Sequence, residues 1–280
     1  MQVFREIKPL RAFLAEKWRA GQKPGFVPTM GALHPGHLAL IAASRANHPL
    51  TVCSVFVNPT QFNNAEDFAK YPRDLDRDIG LLEKAGCEVL FCPGEGEMHS
   101  GSQYLKFDFG YLDQVMEGKF RPGHFSGVAQ VVSKLFHIVE PDTAYFGQKD
   151  WQQVVIIRAL VEELKFNVKI RAVETVREPD GLAMSSRNER LSESQRQEAT
   201  VLSKSLKNAR EQLLQGKSVE DVKKNVLDTF NQNEVVQLEY FEIVHAENLI
   251  PINAVADADR AILCMAAYVG GVRLLDNMFI

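Results

Sequence analysis

The chain has 280 residues, 45% of them hydrophobic and 24% charged, and a formal net charge of −4. That length exceeds a typical single domain of ~100–200 residues and suits two unequal domains with a substantial core. The negative balance gives no long-range attraction for nucleic acid or an anionic membrane, and no segment approaches the ~20 apolar residues of a membrane span.

The N-terminal stretch MQVFREIKPLRAFLAEKWRAG sets apolar residues at helical spacing among charges and lacks the apolar run of a secretory leader. A cytoplasmic protein is expected. From residue 25, short β-rich runs alternate with amphipathic stretches: GFVPT, then a helix from about Gly36; TVCSVFV, then a helix through DLDRDIGLLEKAG; then EVLFCP. After an irregular segment come SGVAQVVSKLFHIVEP as a helix, TAYFG as a strand, DWQQVVIIRALVEEL as a helix and VKIRAV as a fifth strand. Such alternation predicts an α/β fold, a Rossmann-like doubly wound parallel sheet, over residues 1–187. Near Asn188 the rhythm changes to helical stretches at about 192–215 and 218–233, divided by Gly216, and then to the strand-like runs LEYFEIVHA, RAILCMAAYV and VRLLDN. Residues 188–280 are therefore expected to form a smaller α+β domain. Cys53, Cys87, Cys92 and Cys264 make no CxxC pair, and most sit in apolar runs, as buried core thiols do.

Open parallel sheets bind ligands beyond the carboxyl ends of their strands. After the first of these strands comes PTMGALHPGHLALI, in which Gly31 permits a tight turn and Pro35 and Gly36 lead into a helix. The helix start offers unpaired N–H groups to phosphate, and His34 and His37 stand at it. HExxH is absent and no third ligand is evident nearby, which disfavours zinc. SVFVNPTQF ends in Asn58, Pro59, Thr60 and Gln61, whose amides suit a hydroxy acid without adding charge. TAYFGQKDWQQV puts Gly147, Lys149 and Asp150 between strand and helix, where lysine reaches phosphate and aspartate accepts from ribose hydroxyls. The loop ETVREPDGLAMSSRNERLS carries Ser185, Ser186 and Arg187 as donors for a triphosphate, with Ser192 suited to cap the next helix. Each string alone reads as an ordinary turn, cap or linker. Four of them at the carboxyl ends of successive strands describe one cleft, for a nucleoside triphosphate beside a small polar acid.

PTMGALHPGHLALI, FVNPTQF, YPRDLDRD, RPGHFSGVAQVVSKLF, YFGQKDWQQ and MSSRNERL together resemble the pantothenate synthetase (pantoate–β-alanine ligase) family over nearly the whole chain. HPGH resembles the HxGH motif of the nucleotidylyltransferase superfamily, and MSSR its second, KMSKS-type loop. The resemblance implies ATP as co-substrate, carried with Mg2+, and pantoate and β-alanine as the molecules joined through a pantoyl adenylate. It implies that Met30, Gly31, Ala32, Leu33, His34, Pro35, Gly36 and His37 line the ATP site, with His37 the proton donor. It further assigns Gly147, Gln148, Lys149 and Asp150 to ribose and phosphate, the Val176 backbone to adenine, and Met184, Ser185, Ser186 and Arg187 to the nucleotide. Gln61 and Gln153 would hold pantoate, with Arg121 and His124 of RPGHF near the cleft. It also implies a homodimer through the N-terminal domain. Because water must be kept from the mixed anhydride and MSSR lies at the domain junction, residues 188–280 are expected to close over the cleft as a lid. No protein ligand for the metal is assigned. The rival enzyme reading is a nucleotidylyltransferase of the same superfamily acting on another cofactor precursor. The non-enzymatic rivals are an inert nucleotide-binding module and a tRNA-binding synthetase relative, the latter disfavoured by the lack of a basic face.

Overall fold

Strand β1 (Gln2–Phe4) opens the chain and is followed by α1 (Ile7–Arg19), β2 (Pro24–Thr29), α2 (Pro35–Arg45) and β3 (Leu50–Val55). After a 3-10 turn at Pro59–Gln61 come α3 (Ala65–Lys70), α4 (Leu75–Lys84), β4 (Val89–Phe91), α5 (Glu95–Met98), α6 (Met116–Phe120), α7 (His124–Val139) and β5 (Thr143–Gly147). A further 3-10 turn, Gln148–Asp150, leads into α8 (Trp151–Glu163) and β6 (Lys169–Val173). Then follow α9 (Glu193–Leu214), α10 (Val219–Asn231), β7 (Val236–His245), β8 (Ala261–Val269) and β9 (Val272–Phe279). This computed structural model describes residues 1–99, 101–257 and 259–280. The described residues form two compact units: 1–148 with 153–174, and 149–152 with 175–280.

In the first unit six strands form one parallel sheet in the order β1-β4-β3-β2-β5-β6. The chain runs outward from β2 through β3 and β4, then returns to the other side of β2 to add β5 and β6. The order therefore reverses between β2 and β5, which is where a doubly wound sheet opens a crevice. Helices on both faces bury the strands, so β3 reads as the nearly unbroken apolar run LTVCSV. Phe26, Phe91 and Tyr145 are fully buried, each contributing about 1.5–3 kcal/mol by leaving water. Phe136 of α7 meets Phe26 edge-on at 6.5 Å, fixing that helix to the sheet.

The sheet has one strand more than the sequence pattern predicts. Gln2, Val3 and Phe4 pair in parallel with Val89, Leu90 and Phe91. Three residues are too few for alternation to stand out from the helical spacing that follows, so the edge strand is hidden in the sequence. The four cysteines are buried and unbridged, and burial pushes the Cys87 thiol up to about 12, which leaves it inert.

In the second unit α9 begins at a capping box in which Ser192 and Gln195 exchange bonds with each other's backbone N–H, and Gly216, at φ +85°, follows its end. Leu202, Leu206, Ala209 and Leu213 form the apolar stripe of α9 and share one buried cluster with Leu263, Met265 and Ala267 of β8. The strands β7, β8 and β9 make an antiparallel sheet in that order.

Candidate active site

The strand β2 ends in Thr29, whose hydroxyl donates to Ser54 O at 2.7 Å and accepts from Gly31 N at 3.2 Å, tying the start of the turn to its neighbour strand. Gly31 sits at φ +81°, and a Cβ there would stand 2.9 Å from an Asp78 oxygen and 3.0 Å from Val55. Glycine is required both by the conformation and by the space. Asp78, only 1% exposed, accepts from Ala32 N at 2.9 Å and Leu33 N at 2.8 Å, so one carboxylate holds the loop before the helix. Burial raises the Asp78 carboxyl above its ordinary value, and the N–H groups of Leu33 and Ala32 act against that rise. The sequence alone gives Asp78 no role, because it stands inside the helical stretch DLDRDIGLLEKAG and its partners Ala32 and Leu33 are distant along the chain.

Pro35 is the first residue of α2, where its missing N–H costs nothing. His34 is the N-cap: its Nδ1 accepts from Gly36 N at 3.1 Å, while His37 Nδ1 accepts from His34 N at 3.3 Å. The two rings lie 4.0 Å apart between centroids. In neutral rings, an Nδ1 that accepts a backbone N–H carries no proton, so both rings hold theirs on Nε2. The first backbone N–H groups of α2 are taken up within this cap, Gly36 N by His34 Nδ1 and both His37 N and Leu38 N by His34 O, so the cap adds two ring Nε2–H groups at the helix start.

Beside it, Gln61 is buried in the 3-10 turn after β3, its Nε2 3.0 Å from Met30 Sδ. Asn58 is fully buried; its Nδ2 donates to Gln61 Oε1 at 3.2 Å and to Gly127 O at 3.1 Å, and its Oδ1 accepts from the Thr60 hydroxyl at 3.1 Å. Asn58 is thus an internal brace for Gln61. His124 is likewise inside: its Nδ1 donates to Gln61 O at 2.8 Å and its Nε2 accepts from Arg121 at 3.1 Å, while Glu117 lies 3.7 Å from that guanidinium. His124 and Arg121 hold the turn that carries Gln61. Gly127 lets α7 run against this turn, since a Cβ would meet Thr60 O at 2.3 Å. Gly147 and Gln148 follow at the end of β5, and Gln153 is half-buried in the first turn of α8.

The second unit carries the remaining expected residues. The Lys149 carbonyl accepts from Asn277 Nδ2 at 2.7 Å, Asp150 is exposed beside it, and Trp151 Nε1 donates to Ala246 O at 2.7 Å. The Val176 carbonyl accepts from Met184 N at 3.0 Å, closing a hairpin in which Arg177 pairs with Ala183. Arg177 forks onto Asp276 at 2.7 and 2.9 Å. Asn188 donates to Glu178 at 2.9 Å and Ala183 O at 3.0 Å, pinning the far side of the Met184–Arg187 loop. The Ser185 hydroxyl accepts from Arg187 N at 3.2 Å, which leaves its O–H as a donor, and Ser186 is buried.

A helix start bearing two histidines, at the reversal point of a parallel sheet, lies where nucleotide-dependent α/β enzymes receive phosphate, and fold and site point to that class. Comparison with known proteins narrows it. The family profile described as pantoate-beta-alanine ligase matches residues 2–279. The pantothenate synthetase of Cytophaga hutchinsonii is 50% identical over 275 residues, covering 98% of this chain and 97% of that protein. The Bacteroides thetaiotaomicron pantothenate synthetase is 45% identical, covering 99% of this chain and 98% of that protein. Among solved structures, the pantothenate synthetase of Thermus thermophilus superposes with a TM-score of 0.93 at 43% identity over 99% of each chain. The Francisella tularensis pantoate-beta-alanine ligase, complexed with beta-gamma ATP and beta-alanine, gives 0.78 at 33% identity over 99% of this chain and 97% of that one. The chain belongs to the pantoate–β-alanine ligase family, a family of enzymes.

Proposed function

We propose that this chain condenses pantoate with β-alanine at the expense of ATP, by way of a pantoyl adenylate, and releases AMP and pyrophosphate. The observation that carries the reading is the placement of His34 and His37 at the start of α2, each with Nδ1 taken by a backbone N–H, and of the buried Gln61 amide against Met30 of the loop before that helix. The pantoate carboxylate attacks the α-phosphorus, pyrophosphate leaves, and the amine of β-alanine then attacks the acyl carbon and expels AMP. Negative charge builds on the α-phosphate and the leaving group, so fixed donors from His34, His37, Lys149, Ser185, Ser186 and Arg187 lower the barrier by being oriented in advance. His37 is the group that protonates or hydrogen-bonds the departing oxygen. Met30 to Leu33 and Pro35 to Gly36 shape the nucleotide loop, Gly147, Gln148 and Asp150 approach ribose and phosphate, and Val176 and Met184 border the base. Gln61 and Gln153 grip pantoate, with Asn58, Arg121 and His124 supporting Gln61.

No group of three or more His, Cys, Asp or Glu side chains among the described residues is arranged to hold a metal ion. Mg2+ would accompany ATP on its triphosphate oxygens and keep several of its own waters, as this ion prefers. Bound so, it supplies positive charge to the phosphates.

On the same reading the mixed anhydride must be kept from water, and residues 188–280, which follow the Met184–Arg187 loop, act as the lid that does so. Unchanged small-angle scattering on adding an ATP analogue with pantoate would count against closure. The chain works as a cytoplasmic homodimer; light scattering should return twice 31.5 kDa. No helix of the described residues is long and apolar enough to cross a membrane.

Product analysis tests the central reading. Multiple turnovers yielding AMP are expected only with ATP, pantoate and β-alanine together. Sustained turnover without β-alanine would leave a nucleotidylyltransferase acting on another precursor as the better account.

A further inference from the structure

We infer that Lys134 and His99 are positioning residues for the acid-binding amide: through Asn58 they fix which end of the Gln61 side chain faces the substrate. This rests on the reading of Gln61 as a pantoate ligand.

The direction of each bond follows from chemistry alone. The Lys134 ammonium has protons and no lone pair; it donates to Met98 O at 2.7 Å and lies 2.9 Å from His99 Nδ1. His99 Nδ1 must therefore accept, and Gln103 Nε2, 3.0 Å away, shares that one lone pair with Lys134. A neutral imidazole accepting at Nδ1 carries its proton on Nε2, and His99 Nε2 stands 2.9 Å from Asn58 Oδ1. That assigns the Asn58 oxygen to the His99 side and its NH2 to Gly127 O and Gln61 Oε1. The Gly127 carbonyl, which can only accept, gives the same assignment independently. Gln61 Oε1 is thereby held inside, and Nε2 is the end presented beside Met30.

A carboxylate or hydroxyl acid meets a donor there. With the amide reversed it would meet a carbonyl oxygen, and two acceptors would face each other. Asn58 is fully buried, so water cannot stand in for the partners at either end of its amide. Nothing in the sequence exposes this chain of contacts: His99 lies in a segment without a clear pattern, and Lys134 reads as a polar position on an amphipathic helix.

The test uses the full-length enzyme. His99→Leu removes the donor to Asn58 and should raise the KM for pantoate about tenfold, the scale of one misdirected hydrogen bond, with the KM for ATP changing less than about twofold. Lys134→Met should act in the same direction. His99→Gln, whose amide accepts from Lys134 and donates to Asn58, should return the pantoate KM to within about threefold of the parent. In a Gln61→Ala background, His99→Leu should produce no further change. An unaltered pantoate KM in His99→Leu, or equal increases for pantoate and ATP, overturns the relay. Should His99→Leu fail to fold, ring 15N shifts of the unmodified protein decide, since a protonated Nδ1 contradicts the assigned tautomer. A Gln61→Ala variant with normal pantoate KM would instead overturn the reading of Gln61 itself.

Discussion

His34 and His37 each commit Nδ1 to a backbone N–H, which makes them helix caps, and the proposed function makes them ligand donors as well. The two roles are separable by substitution. Asparagine at position 37 can imitate the cap near Nδ1 but does not reach the place of Nε2, whereas glutamine reaches it. His37→Asn should therefore lower kcat by about 10²–10³-fold, the scale for losing one preorganised donor, with the circular dichroism spectrum kept. His37→Gln should retain more turnover than His37→Asn, and the opposite order would remove Nε2 from the chemistry. Asp78 acts on the same loop from behind. Asp78→Asn turns one acceptor into an NH2 facing a backbone N–H, which should cost about 1–3 kcal/mol in urea unfolding and raise the KM for ATP. A variant as stable as the parent would show that the clamp contributes nothing.

At the scale of elements, α7 is placed by its glycine. The Cβ of Gly127→Ala would come 2.3 Å from Thr60 O and 2.7 Å from Gln61 N, so the helix or the turn must shift. Overpacking of this kind costs about 1–3 kcal/mol, and the shift falls on the turn that carries Gln61. The KM for pantoate should rise in that variant while the KM for ATP stays near the parent's. An unchanged pantoate KM would separate the turn from the acid site. The helix start at Pro35 was readable because a strand end, a turn glycine and a proline coincide within a few residues, and Ser192 and Gly216 marked the ends of α9 by the same local rules. What stayed hidden depends on partners distant in sequence. Asp78 is a buried clamp because the sheet order brings α4 beside the end of β2, and Asn58 is a brace because α7 covers it. Neither burial leaves a local signature, and the strand at Gln2–Phe4 is too short to give one.

Across the molecule, the titration of its buried groups sets how stability follows pH. His48 has its pKa lowered by burial, with Asp142 opposing and Lys169 and Arg171 assisting, and it lies edge-on to Tyr145 at 5.9 Å. His99 is lowered by burial and by Lys134, with Glu95 opposing. Both thus bind protons more weakly folded than unfolded, where the value is near 6.5. Their contribution is fully present above 6.5 and is lost as pH falls through their folded values, because the unfolded chain then takes up protons that the fold refuses. Asp78, raised from 3.8, has the opposite sign and acts lower: protonation of the folded state there favours the fold. The urea midpoint should consequently decline between about pH 7.5 and about pH 5.5, the range in which histidine changes charge. The double variant His48→Gln, His99→Gln keeps neutral polar side chains at both places and should show a flatter profile across that interval. A decline as steep as the parent's would assign the acid sensitivity to other groups, while a flat one would locate it in two histidines of the parallel-sheet unit, one of them in the relay behind Gln61.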